Sequence, residues 1–289
     1  MPRHISEKFI NELLAGKLSN LLRYVRSDHT LDMELRGVEV TVYYRGCKLL
    51  SIKNDSFELK PLDKKYSRNR IIPDISKIEE YIPKSKHLID MWLVKNKKWE
   101  TEIQQQIVRE NNYSPSADHT DFFILDIEYK DDDIGELDIV AIRLDSTSKA
   151  HKARKFRITM FELKQGFNSI DGGSGLVEHY KNFEKFNADS KKVQNFISDM
   201  KLVFEQKIKL GLIPYLKGKP YSVISSMDDE IDYVFILANY KSASKKLKTA
   251  VNQISGNKCK FIYSNCMGYG LFSKNIIDRE LFINMFKPK

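Results

Sequence analysis

The chain holds 289 residues, 42% hydrophobic and 30% charged, which suits one large globular domain or two small ones and excludes a disordered or fibrous chain. No apolar run approaches the ~18 residues that a bilayer demands, and the start, MPRHISEKFINELLAGKLSNLL, has no clean apolar centre for a signal peptide. The net charge of +9 is uneven: residues 1–98 carry 20 Lys and Arg against 13 Asp and Glu, and the remainder 28 against 26, so a basic N-terminal third fits a polyanionic partner.

Residues 6–26 place Phe9, Ile10, Leu13, Leu14, Leu18, Leu21, Leu22 and Val25 at helical spacing and predict one helix. MELRGVEVTVYYRGCKLLSI and SFELKPL then alternate and are cut by Arg-Gly pairs, as in a three-stranded meander. YYRG at 43–46 reads as a strand pair ending in a turn, although its aromatics and Arg45 also suit a nucleic-acid contact. Residues 60–84 hold three prolines and many charges and read as a connector, with a helix expected from about 85 to 111. Together these suggest a basic helix and β-meander subdomain over 1–84 and a second domain over 85–289.

From 121 the pattern becomes strands: DFFILDIEY, ELDIVAIRLD and KFRITMFELK, joined by KDDDIG and STSKAHKARK as hairpin connections. GFNSIDGGSG leads into helices at about 175–187 and 190–210. A buried strand DYVFILANY, a helix SASKKLKTAVNQI and a strand CKFIYS follow. This is an α/β arrangement, a mixed sheet covered by helices. Cys47, Cys259 and Cys266 are odd in number and lack C-x-x-C spacing, which argues against a zinc ribbon or disulfide framework and for a reducing cytoplasm.

The chemistry concentrates in FELK. Strand side chains alternate between faces, so Glu162 and Lys164 share one. Asp138 begins the apolar run DIVAIRL and Glu162 ends ITMFEL, so antiparallel pairing of their strands makes the two carboxylates neighbours. Carboxylates forced together tolerate a cation between them. Mg²⁺, or Mn²⁺, suits such a site because it takes one or two carboxylates, several waters and phosphate oxygens. Lys164 then sits where it can orient a water and stabilise charge on a phosphate. The bland alternative is an ordinary surface salt-bridged pair.

ELD at 136–138 followed by FELK at 161–164, in a helix, three-stranded meander, helix, strand order, resembles the PD-(D/E)xK nuclease superfamily over roughly residues 98–265. Leu137 stands where that family often has Pro. The resemblance implies a restriction endonuclease-like mixed sheet, Asp138 and Glu162 as metal ligands and Lys164 as the catalytic lysine. Many members add an acidic residue from the preceding helix; of Glu100, Glu102 and Glu110, Glu100 is preferred, because Trp99, Ile103 and Ile107 define an inward face and Glu100 sits at its margin, with Gln104 one turn on. Glu178, His179 and Tyr180 are expected near the cleft, while Leu176 replaces the Gln that some exonuclease-like members carry four before the Tyr. The function implied is metal-dependent hydrolysis of nucleic acid, DNA before RNA, by a chain that works as a homodimer if it cuts duplexes. The alternative is a non-catalytic nucleic-acid-binding protein on the same fold.

Overall fold

Two helices open the chain, α1 (Glu7–Leu14) and α2 (Ser19–Ser27). The Ser6 side chain caps α1 by accepting from the Phe9 amide. The single helix expected over 6–26 is therefore broken: a Cβ at Gly16 would run into Glu12, and the chain turns there before resuming. The computed structural model describes residues 2–67, 73–131, 134–143, 155–166, 170–213, 226–240, 244–256, 258–265 and 267–285.

An antiparallel sheet follows in the order β1 (Leu31–Leu35), β2 (Glu39–Tyr44), β3 (Cys47–Lys53), β4 (Leu59–Lys60). Arg45 and Gly46, at φ 50° and 70°, form the two-residue turn between β2 and β3. Arg45 is held there by Asp90 and Glu102, at 2.8 Å from each, as a structural turn residue.

The connector expected to reach residue 84 ends earlier. Helix α3 spans Ile78–Lys95, with Pro83 inside it, because Ile78, Tyr81, Ile82, Ser85 and Ile89 bury one helical face. The expected helix over 85–111 is divided: α4 (Trp99–Val108) begins anew after the exposed Asn96–Lys98 break and continues as a π turn over Arg109–Tyr113.

The second sheet has six strands, ordered β10-β9-β8-β7-β6-β5. β5 (Phe122–Asp131), β6 (Gly135–Arg143) and β7 (Lys155–Gln165) form the expected antiparallel meander. After helices α5 (Leu176–Asn187) and α6 (Ser190–Lys209), β8 (Ser226–Ala238) joins β7 in parallel. Helix α7 (Lys245–Asn252) then leads to β9 (Cys259–Ser264), parallel to β8. The short β10 (Ile277–Asp278) and α8 (Arg279–Asn284) close the chain and carry no sequence signal long enough to foresee. Residues 146–154 of the expected second hairpin connection lie outside the described residues.

The fold is mixed α/β, with helices on two sheets. One apolar cluster runs from Phe9, Leu50 and Ile82 to Phe183, Phe204 and Phe235, so the two sheets share a core. A second cluster packs Ile103, Ile107 and Val108 of α4 against Phe161 and Leu163 of β7 and Val234 and Ile236 of β8. Alternation along β7 thus puts Phe161 and Leu163 under α4 and turns Glu162 and Lys164 to the other face, toward α5. No described helix is long and apolar enough to cross a membrane. Cys47 and Cys259 are buried free thiols.

Candidate active site

Two strand ends build the site. Ile139 pairs with Phe161 in the β6–β7 register, so Asp138 and Glu162 follow as the next opposed positions. Asp138 lies within a hydrogen bond of β7: its Oδ2 accepts from the Leu163 amide at 2.6 Å. Its Oδ1 accepts from Gln104 Nε2 on α4 at 2.5 Å. Glu162 is 2% exposed and Lys164 4%. Lys164 Nζ donates to Glu162 Oε1 at 2.8 Å, and His179 Nδ1 on α5 stands 3.2 Å from the same oxygen. Glu162 Oε2 is buried and makes no hydrogen bond in the structure. The surface-pair alternative for Glu162 and Lys164 does not survive this burial.

Glu100 marks the rim. Its Oε1 accepts from the Gln165 amide at the end of β7, 3.0 Å away. Trp99 does not define the inward face expected of this helix: it points into solvent, 53% exposed, and the buried face of α4 is instead set by Ile103, Gln104, Gln105, Ile107 and Val108. Glu100 and Gln104, four apart, share the side that meets the strand ends. Glu102 is committed to Arg45, and Glu110 to the Ser116 hydroxyl. On α5, Tyr180 is buried in the core and Glu178 pairs with Lys181 at 3.8 Å, leaving His179 as the residue that reaches the site.

One carboxylate escaped the sequence reading. Glu128 lies between Ile127 and Tyr129 of β5, which pair with Ile139 and Leu137, so it stands across from Asp138. Its φ of 54° is left-handed, uncommon for a residue other than Gly, Asn or Asp. In DFFILDIEYK, Glu128 simply alternates with Ile127 and Tyr129 and so reads as an ordinary outward strand position. That pattern carries no indication of where the side chain would turn.

The electrostatics follow from crowding. Burial pushes the Glu162 carboxyl up to about 7; the Lys164 ammonium opposes this, while Glu100 and Glu128 add to it. Burial and then the Glu162 charge push Asp138 well above the carboxylate range, against the pull of the Leu163 amide and Lys164. Burial, Glu136 and Asp138 raise Glu128 to about 8. Burial and Lys164 hold the His179 imidazole down to about 4, so it is neutral at neutral pH.

Four carboxylates, from Glu100, Glu128, Asp138 and Glu162, therefore face one lysine. Among the described residues no three His, Cys, Asp or Glu side chains stand close enough together to cage a metal by themselves. What fits is an open site: a hard cation on one or two carboxylates, completed by water and phosphate oxygens. The unpartnered Glu162 Oε2 is the atom best placed for it. No family model matches the chain, and no curated protein or solved structure matches it either.

Proposed function

We propose that the chain is a metal-dependent nuclease of the PD-(D/E)xK type that hydrolyses phosphodiester bonds in nucleic acid, DNA before RNA, on a restriction endonuclease-like sheet. The observation that carries this reading is the juxtaposition of Asp138 and Glu162 at adjoining strand ends, with Lys164 on one Glu162 oxygen and the other buried without a partner. Asp138 and Glu162 would hold Mg²⁺ or Mn²⁺, with Glu100 at the rim. The ion would neutralise phosphate charge and acidify a bound water. Lys164 orients that water and stabilises the charge that develops on the phosphate. The Leu163 amide and Gln104 fix the Asp138 carboxylate, and His179 with Lys164 fixes that of Glu162. The basic N-terminal third adds non-specific attraction for the strand.

The test is cleavage of single-stranded and duplex DNA, and of RNA, in Mg²⁺ or Mn²⁺. Glu162→Gln, Asp138→Asn and Lys164→Met should each lower the rate by about a hundredfold or more while leaving the folded spectrum intact. Full activity in these variants, or equal activity in excess chelator, would contradict the reading. A second reading, a non-catalytic nucleic-acid-binding protein on the same fold, is favoured by the engagement of both Asp138 oxygens in protein hydrogen bonds. Salt-sensitive DNA binding without cleavage in either metal would establish it.

A further inference from the structure

Trp99 is the first residue of α4 and is 53% exposed, an unusual position for the largest apolar side chain. The other tryptophan, Trp92, packs edge-on against Tyr66 with ring centroids 5.1 Å apart. Trp99 has the Lys97 ammonium 5.6 Å from its ring centroid. Lys95, Lys97 and Lys98 are all exposed, and none forms an ion pair among the described residues. Met91 and Val94 near the end of α3 are also exposed, at 59% and 72%. The next residue after Trp99 is Glu100, whose carboxylate holds the Gln165 amide at the rim of the candidate active site.

We propose that Trp99 is a stacking platform for an unpaired base of the substrate strand, with Lys95, Lys97 and Lys98 taking the flanking phosphates. The inference rests on the nuclease reading and names its substrate: a single strand or a frayed end. An exposed indole offers a flat face to any base, and stacking of this kind is available only where the base has left its duplex. The lysines supply the charge that such a strand requires. They also disfavour the other partner for an exposed indole, a second copy of this chain, because a two-fold contact through Trp99 would bring like charges together.

Trp92→Phe leaves Trp99 as the sole tryptophan of the chain. Titrating this variant with an oligothymidine strand in EDTA, where no cleavage occurs, should quench its fluorescence saturably. A blunt hairpin duplex should quench it far less. Trp99→Ala should weaken binding of the single strand about tenfold and leave duplex binding unchanged, while Trp99→Tyr should recover most of the loss. Absence of quenching, or unchanged single-strand affinity in Trp99→Ala, overturns the proposal. So does a dimer that Trp99→Ala dissociates without change in DNA affinity, which would make Trp99 a subunit contact. Quenching that persists in a protein unable to cleave in Mg²⁺ supports the platform and sinks the nuclease reading alone.

Discussion

Among the described residues two buried Glu–Lys pairs share a 2.8 Å contact, Glu34–Lys207 and Glu162–Lys164, and their surroundings differ. Glu34 and Lys207 come from β1 and α6 and are almost wholly enclosed. Around them Asp32 and Asp126 are balanced by Arg36, which bonds Asp126 and the Ile127 carbonyl, and by Arg3, 3.4 Å from Asp126. Three carboxylates meet three cations, and the cluster ties the N-terminal sheet to the large one. Glu162 and Lys164 lie two residues apart on one strand, so their contact joins no distant elements. There, four carboxylates meet one cation. A buried pair in a balanced cluster can tie elements together, whereas the same pair amid surplus negative charge favours a cation beside it, as the proposed function requires.

Removing one partner from each pair separates the two roles most sharply. Lys207→Met should cost about 3–5 kcal/mol in urea unfolding, because it removes the contact that ties β1 to α6 and leaves Glu34 unpaired in a closed interior. Lys164→Met should cost much less, because its contact with Glu162 lies within one strand and ties no distant elements together. Equal costs would erase the distinction.

His179 acts at the next scale. Its Nδ1 helps hold Glu162 Oε1, and loss of such a supporting contact typically weakens metal binding tenfold or more. His179→Ala should therefore weaken Mn²⁺ binding about tenfold by calorimetry with little change in stability, and His179→Asn should recover part of it. Unchanged affinity would reduce His179 to packing.

A pH-dependent effect concerns Glu128. Its carboxyl is raised from an ordinary 4.5 to about 8, so the native state holds a proton that the unfolded chain has lost. Its contribution to stability thus falls as pH rises between those values. Glu128→Gln should match the wild type below pH 4.5, gain on it through pH 4.5–8, and stay ahead above that. An advantage over the wild type no larger at pH 9 than at pH 4 would show that Glu128 is not crowded.

Much of this comparison was legible in the sequence, and the remainder was not for physical reasons. FELK and ELDIVAIRL sit in strands whose period of two fixes which side chains share a face, so the meeting of Asp138 with β7 followed from pairing alone. The meander and α5, α6 and β9 are strongly patterned segments and lie where periodicity places them. The α4 face was misjudged because an apolar Trp99 was assumed to point inward, and three neighbouring lysines keep it in water. Glu128 escaped because its left-handed φ cannot be read from alternation. The Glu34–Lys207 pair spans 173 positions, a contact that only tertiary structure creates.

The most direct measurement is a calorimetric titration of Mn²⁺ into the protein at pH 6, 7 and 8.5, with Glu162→Gln and Asp138→Asn alongside. The carboxyls of Asp138, Glu128 and Glu162 are all raised, so a cation must displace protons from the site. The expected result is one bound ion, affinity that strengthens from pH 6 to 8.5 and proton release that depends on buffer, all lost in both variants. Binding that ignores pH and survives both substitutions, or no binding at millimolar Mn²⁺ with an oligonucleotide present, would contradict the assignment of this surplus of carboxylates to a cation site.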